Sequence, residues 1–480
     1  LSEENVFFFP VGDFCRRDLI TCPVEATVVE LATTMREKNV SSIIVCEGES
    51  PVGIITDRDL RNKVVSRGAD PTALTARAIM SEPLITVAEE EYLLEVVCKM
   101  SRHNIHRVGV VNGEGKLCGI VNESDILRVQ THSPQRLLRD LERAESFDEL
   151  KKIHQGVQDL VVFLSRSGVR TKDLVRLIAT LNDRLVLRLI DLLQRERFAD
   201  LPENFVFMVL GSEGRGEQTL STDQDNAIIY ADGLNAETLG RIEAFSQALI
   251  DGLIQIGVPE CPGGIMAKNT FWRRSLEDWS VALDQWISVP NPENILNFSM
   301  FADIRGVWGD MSLVDSLKSA VIRRAMEEDL FLSRMAANVV RFVPPLGMFG
   351  SLKVEKKGQY RGLIDLKKAG IFAITEGVKV MCLARGRLGG CTRDKIQWLK
   401  EQAILPAKQA DDLDAAFSLL VFYRLRGQVD AIQAGLEPNN YINPAKLNRL
   451  ELGRLRLSLE VVKSFQTTLS THFRLNMLRN

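Results

Sequence analysis

Histidine is scarce, with five in 480 residues, and the eight cysteines (15, 22, 46, 98, 118, 261, 382 and 391) include no C-x-x-C pair. A zinc-finger spacing is therefore missing, and so is the cysteine density of a disulfide-stapled scaffold. Buried, reduced thiols in a cytoplasmic protein are the expectation. No apolar run approaches the about 20 residues of a membrane span, and no secretory leader core is visible, so no membrane partner is expected. A strong charge of either sign is also missing. Sixty Lys and Arg against 63 Asp and Glu leave a net charge of −3, which argues against a nucleic-acid partner. What is present is ordinary globular composition, 45% hydrophobic and 26% charged. The length exceeds one ordinary core, so about two to four domains are expected. The first residue is Leu1 rather than Met, which gives the expectation of a truncated chain lacking an upstream domain.

The first 130 residues repeat themselves. "VEATVVELATTMREKNVSSIIVCEGESPVGIITDRDLRNKV" (24–64) and "LITVAEEEYLLEVVCKMSRHNIHRVGVVNGEGKLCGIVNESDILRV" (84–129) each read as strand, amphipathic helix, strand, turn, strand, helix. Val28, Leu31, Ala32 and Met35 fall at helical spacing, as do Leu93, Val96, Val97 and Met100. Two copies of one unit imply a pseudo-twofold pair burying a shared face. Each copy closes its last strand with a polar residue three before an aspartate, Thr56 with Asp59 and Asn122 with Asp125. Such a strand-to-helix turn exposes N–H groups that suit a phosphate, and the aspartate can accept from a ribose diol. The same pattern is also a capping box that only starts a helix. "GIITDRDL" and "GIVNESDIL", with "PVEATVVELATTM" and "LITVAEEEYLLEV" ahead of them, resemble the halves of a CBS-domain pair over residues 21–132. The resemblance implies an adenine nucleotide on Thr56 and Asp59, with Asn122 and Asp125 as the second copy's positions. Asn122 stands where that pattern carries a hydroxyl. A homodimer is the expected assembly.

Residues 133–200 carry helical periodicity and no Gly/Pro-rich linker. Ser133-Pro134 reads as a helix start and Ser167-Gly168 as a break. The segment reads as a helical connector able to pass a rigid-body change onward. His154 within it reads as a packed or solvated residue.

Then comes "FVFMVLGSEGRGEQTLSTDQDNAIIY" (205–230). FVFMVL is a strand, Gly211-Ser212 breaks it, and Gly214 and Gly216 keep the turn bare, so main-chain N–H groups can approach an anion. Asp223 and Asp225 precede Ala-Ile-Ile-Tyr. In a strand, positions two apart share a face, so the carboxylates are expected side by side, their repulsion relieved by a divalent cation. Mg²⁺, or Mn²⁺, held by carboxylates and by substrate phosphate is the equipment of nucleotidyl transfer. The alternative is an exposed acidic turn. The stretch resembles the nucleotidyltransferase core shared by DNA polymerase beta, PII uridylyltransferase and glutamine synthetase adenylyltransferase. "GSEGRGEQTLSTDQDNAII" is especially similar to bacterial signal-transduction nucleotidyltransferases that carry CBS domains. The resemblance implies that Gly211 and Ser212 touch the NTP and that Asp223 and Asp225 bind metal. Arg215 is then a phosphate contact and Glu217 a site organiser. The superfamily has a third acid on a later strand. "NFSMFADIRGVWGD" (297–310) offers Asp303 as the third catalytic and metal-binding carboxylate, Arg305 sharing its face; a salt bridge from Asp303 to an arginine is the structural alternative. Lys268, Asn269, Trp272 and Arg273 either contact base or phosphates or build a surface loop.

Residues 311–480 read as helices, with Thr392 and Asp411 at cap positions. "IDLKKAGI", "FYRLRGQ" and "PNNYINPAKLNRLE" resemble the helical domain behind that transferase core. Lys367, Arg424, Arg426 and Gln428 either face the cleft or form ordinary salt bridges. The expected architecture is an α/β multidomain chain. It comprises an N-terminal segment (1–20), a CBS-domain pair (21–132), a helical connector (133–200), a polymerase-beta-like nucleotidyltransferase core (201–310) and a C-terminal helical domain (311–480). The expected function is metal-dependent transfer of NMP from an NTP to a protein or small-molecule hydroxyl, regulated by adenine nucleotide on the CBS pair. The alternative is a catalytically silent nucleotide sensor.

Overall fold

The computed structural model describes residues 10–13, 15–48, 50–126, 134–166, 169–221, 223–347 and 351–479. It divides into two compact units, one reaching to Arg136 and one made of residues 137–165 and 169–480.

The first unit contains one motif twice. Strands β1 (Thr21–Pro23), β2 (Ser42–Glu47) and β3 (Ser50–Thr56) form one sheet; β4 (Thr86–Ala88), β5 (Arg107–Val111) and β6 (Leu117–Asn122) form the other. In each, the first strand runs parallel to the second and the last two make a hairpin. Both hairpins shift register at the matching place, Val45/Cys46 and Val110/Val111. The helix Val28–Glu37 starts in a capping box, Thr27 with Glu30, and buries Val28, Leu31 and Met35. Ala32 falls off that stripe and is exposed. The helix Leu93–His103 buries Leu93, Val96 and Met100 in the same way. The N-terminal segment is not separate from the pair: Arg16 exchanges two main-chain hydrogen bonds with Ile120 (2.9 and 3.0 Å) along the free edge of β6.

The second unit is built on β7 (Phe205–Val209), β8 (Asn226–Tyr230), β9 (Arg273–Ser275) and β10 (Arg305–Gly309), in the order β10-β7-β8-β9. Antiparallel pairing joins β7 to both neighbours, and β9 runs parallel to β8. The FVFMVL run has no polar position because β7 is covered on both faces. Phe205, Phe207 and Val209 pack with Leu181, Leu185 and Leu189, whereas Val206, Met208 and Leu210 pack with Trp279, Phe298 and Phe301. Trp279 is fully buried and its Nε1 donates to the Ile228 carbonyl at 2.9 Å. The segment expected as a connector is therefore one layer of this core. Its helices Pro134–Arg143, Phe147–Arg166 and Thr171–Glu196 supply the hydrophobic face on that side of the sheet. Ser133 and Ser167-Gly168 lie outside the described residues.

Behind the other face, the helices Asp329–Val340, Phe372–Leu383, Thr392–Glu401, Ala407–Gln433 and Arg449–His472 surround a further core containing Ile374, Val378, Leu413, Leu420 and Phe465. Two expected caps are corrected here. Cys391 is the N-cap, with Thr392 one residue inside the helix, and Asp411 lies within Ala407–Gln433. Among the described residues no helix is long and apolar enough to cross a membrane.

Candidate active site

The acidic loop is joined to the Gly-Ser turn through the main chain. The Leu210 N–H donates to the Asp225 carbonyl at 2.8 Å, one step beyond the last β7–β8 pair, Val209 with Asn226. Asp223 and Asp225 thus lie just ahead of β8 rather than inside it. Gly211 is left-handed at φ +53°, and a Cβ there would stand 2.8 Å from Asp225 Oδ2. At Gly214 an added Cβ would fall 1.8 Å from the Asp303 carbonyl oxygen. Gly211 is required by its left-handed backbone and Gly214 by the close approach of the Asp303 main chain.

Asp223 acts on Asp225. Burial pushes the Asp225 carboxyl up to about 6, the Cys261 thiol and Lys367 oppose the shift, and Asp223 adds to it. The helical region supplies the opposing charge. Around Lys367 the protein, and Arg424, push the ammonium below its usual range while Asp223 and Asp225 pull it back. Burial brings Arg424 down to about 10, Arg215 acting in the same direction. Arg424 donates to the Ser221 carbonyl (3.3 Å) and to Asn440 (2.7 Å), and Gln428 accepts from the Leu220 N–H at 3.2 Å. Lys367, Arg424 and Gln428 therefore meet the acidic loop. Arg426 does not: it pairs with Glu451 at 2.5 Å.

Asp303 requires a correction. It sits in the turn between the helix Pro292–Phe301 and β10, not in a strand, and its side chain is fully buried. Arg215 and Lys379 (2.8 Å) take Oδ2, and Lys395 (3.2 Å) takes Oδ1. Burial alone would raise its pKa; Arg215, Lys379 and Lys395 instead hold its carboxyl well below the usual carboxylate range. The carboxylate expected to bind metal is the counter-ion of three cations. Arg215, expected on phosphate, is correspondingly engaged by Asp303 and by Glu217 (2.8 Å). Glu217 also accepts from the Thr392 N–H (2.5 Å) and hydroxyl (2.9 Å), tying the turn to the helix Thr392–Glu401. Arg305 shares no bond with Asp303; it makes a two-pronged pair with Asp183 at 2.8 and 2.9 Å. The loop candidates shape their own loop. Lys268 pairs with Glu260, Asn269 donates to the Gly264 carbonyl, Arg273 pairs with Glu243, and Trp272 lies in the core.

Two buried groups near the loop escaped the sequence reading. Glu213 accepts from Gln218 Nε2 at 2.8 Å and from the Asp225 N–H at 3.3 Å, and burial pushes its carboxyl up to about 8, with Asp225 adding to the shift. Gln218 is 3% exposed. Among the described residues no three acidic, His or Cys side chains converge as a metal cluster. A cation here would have Asp223 and Asp225 as its protein ligands, and phosphate oxygens and water would complete its shell. That donor set suits Mg²⁺ or Mn²⁺.

In the first unit both polar turns are capping boxes. Asp59 Oδ2 accepts from the Thr56 N–H (2.9 Å) and hydroxyl (2.7 Å), and Oδ1 accepts from Ser81 (3.0 Å) and Lys63 (2.9 Å). In the second copy the Asn122 N–H reaches Asp125 at 3.1 Å, the Asp125 N–H reaches Asn122 Oδ1 at 2.9 Å, and Arg16 grips Asp125 through two nitrogens at 3.0 and 2.9 Å.

Comparison with known proteins agrees with this division. Residues 155–293 match the family described as "Putative nucleotidyltransferase DUF294", and 329–473 match "Putative nucleotidyltransferase substrate binding domain". Residues 11–66 and 76–132 each match the CBS domain. Uncharacterized protein MK0525 of Methanopyrus kandleri is 46% identical over 123 residues, which is 25% of this chain and 63% of that protein. Hypoxic response protein 1 of Mycobacterium tuberculosis is 31% identical over 121 residues, 25% of this chain and 82% of that protein. Among solved structures, CBS domain protein PAE2072 from Pyrobaculum aerophilum, complexed with AMP, is 26% identical with a TM-score of 0.24, covering 26% of this chain and 99% of that one. This chain belongs to the CBS-domain family through its N-terminal repeat and, over residues 155–293 and 329–473, to the family described as putative nucleotidyltransferase DUF294 with its substrate-binding domain.

Proposed function

We propose that the second unit is a metal-dependent nucleotidyltransferase, moving NMP from an NTP to a hydroxyl of a protein or small molecule. The observation that carries this is the meeting of Asp223 and Asp225 with the bare Gly211-Ser212 turn on one side and Lys367 and Arg424 on the other. Main-chain N–H groups of the turn and the two cations receive the triphosphate, whose negative charge they offset. Asp223 and Asp225 hold Mg²⁺ or Mn²⁺, which when bound polarises the α-phosphate and favours ionisation of the attacking hydroxyl. Glu217 and Asp303 position Arg215 and with it the turn. The CBS pair is proposed to take an adenine nucleotide at Thr56 and Asp59, where the ribose diol exchanges for Ser81 or Lys63 on the carboxylate. In the second copy Asn122 and Asp125 meet a ligand only if Arg16 yields.

A second reading, a catalytically silent nucleotide sensor, is favoured by one observation. Asp303 is enclosed by cations, so two carboxylates stand where the superfamily uses three. One experiment separates the readings. The protein is incubated with each NTP labelled at the α-phosphate, Mg²⁺ and a cell extract, beside the Asp223→Asn variant. Transfer of label by the wild type alone supports the transferase. Nucleotide binding without transfer from any NTP supports the sensor.

A further inference from the structure

A cavity of about 460 Å³ adjoins the acidic loop, lined among others by His154, Gln158, Asn182, Glu213, Gln218 and Glu437. Its volume falls in the range of small-molecule sites. Residues 218–221 form part of its wall, and Asp223 follows two positions later. Among the described residues, no lysine or arginine lines it, Lys367 and Arg424 included. Among the described residues, the ionisable groups of the lining are the carboxyls of Glu213 and Glu437 and the His154 imidazole, and the remaining polar side chains are carboxamides and hydroxyls.

Among the described residues, two buried atoms on this wall lack a hydrogen-bond partner and one buried carboxyl lacks an ion pair. Glu213 is 8% exposed and has two hydrogen bonds but no ion pair; Arg305 pairs with Asp183 and takes only the Glu213 main-chain carbonyl, at 2.9 Å. Gln218 Oε1 and His154 Nδ1 make no hydrogen bond. Burial lowers the pKa of His154, so it enters as a neutral imidazole. Such a lining offers acceptors and no cation, so it disfavours a phosphate or carboxylate and receives donors, above all an ammonium, whose arrival beside Glu213 favours the ionised form of that carboxyl.

We propose that this cavity seats the acceptor of the transfer, and that the acceptor is a small hydroxylated molecule bearing an ammonium group. The proposal rests on the transferase reading above. The matched substrate-binding segment supplies Ile432 and residues 435–438 of the wall, and the matched nucleotidyltransferase segment supplies Glu213 and Gln218. In the reaction, the acceptor's hydroxyl oxygen bonds to the α-phosphorus of the NTP. The bond from that phosphorus to the α–β bridging oxygen breaks, pyrophosphate leaves with the electron pair, and the hydroxyl proton passes to water.

The test uses three hexose probes of one size and different charge: glucosamine, glucose and gluconate. Binding to the full chain is read by saturation-transfer NMR, with Mg²⁺ and a non-hydrolysable ATP analogue titrated in parallel on the same wild-type protein. Glucosamine is expected to bind about tenfold tighter than glucose, as one charge-assisted hydrogen bond provides, and gluconate not at all. Glu213→Gln keeps the shape and should bring glucosamine to the level of glucose. Asn182→Trp fills the cavity and should remove both. The proposal falls if glucosamine fails to bind, if gluconate binds as well, or if Glu213→Gln leaves the preference intact. Nucleotide binding without glucosamine binding overturns the acceptor site and leaves the transferase standing. Glucosamine binding without nucleotide binding overturns the transferase and the acceptor role together.

Discussion

Asp225→Asn and Asp303→Asn remove the same charge and should have opposite consequences. Burial, with Asp223 adding, raises the Asp225 carboxyl from 3.8 to about 6. A raised folded pKa means that the native state holds the proton more tightly. Stability is therefore lost as pH rises from the unfolded value through about 6, and the ionised group is a burden above it. The shift corresponds to about 3 kcal/mol at pH 7, an upper figure because Asp225 is not fully enclosed. Asparagine removes that burden, so Asp225→Asn should stabilise the second unit by about 1–3 kcal/mol while weakening Mg²⁺-dependent nucleotide binding. Asp303 is the reverse case. It is 1% exposed, pairs with Lys395, and shares Arg215 with Glu217 and Lys379 with Glu376. Its folded pKa is depressed, so its contribution is present above the unfolded value and disappears as pH falls through the folded one. Asp303→Asn leaves a buried cation unbalanced, which typically costs about 3–5 kcal/mol. Urea unfolding followed by tryptophan fluorescence reads the first quantity, and calorimetry with Mg²⁺ and a non-reactive NTP analogue reads the second. If Asp303→Asn kept its stability and lost metal-dependent binding, Asp303 would be the third metal ligand after all and the cation-cage argument would be wrong.

Other perturbations follow the same geometry. Metal-dependent nucleotide affinity should climb about tenfold per pH unit below about 6 and level off above it, since the Asp225 proton competes with the cation; a flat profile from pH 5 to 7 would contradict this. Gly214→Ala drives a methyl group into the Asp303 carbonyl and should yield aggregated or unfolded protein, so a soluble variant with wild-type circular dichroism and melting would show that the turn can move. Lys367→Met and Arg424→Met should each weaken the NTP analogue about 10–100-fold, whereas Arg426→Met, whose partner is Glu451, should stay within about threefold; equal losses at all three positions would remove the distinction. Asp59→Ala breaks a capping box and an ion pair, so it should destabilise the first unit by about 1–2 kcal/mol and abolish the heat of adenine-nucleotide binding in a transferase-dead background. Undiminished heat in that variant would place the nucleotide elsewhere.

Local pattern made much of this legible. The repeat, its two hairpins, FVFMVL, the Gly-Ser break and the spacing of Asp223 and Asp225 are all short-range signals. They survive because strand alternation and turn chemistry act over a few residues. What escaped was decided at a distance. The partners of Asp303 lie 76 and 92 residues away in sequence, at Lys379 and Lys395, and no spacing rule connects them. A trace of them was readable: Glu376 and Lys379 stand three apart inside "FAITEGVKVMCL", an otherwise apolar helix, where two charges are tolerated only if buried together. The segment 133–200 read as a connector because amphipathic periodicity reveals that a face is buried, not what it is buried against.

The ion cluster beneath the Gly-Ser turn is divided unevenly along the chain. Arg215, Glu217 and Asp303 come from the sheet segment and sum to one negative charge; Glu376, Lys379 and Lys395 come from the helices behind it and sum to one positive charge. Either segment cut free would expose, or strand in its own interior, a charge whose complement had left with the other. Expression of residues up to 310 alone should then give poorly folding material whatever its hydrophobic core. A cut between the two pieces separates a carboxylate from its cations, and restoring the balance would take changes at several positions at once.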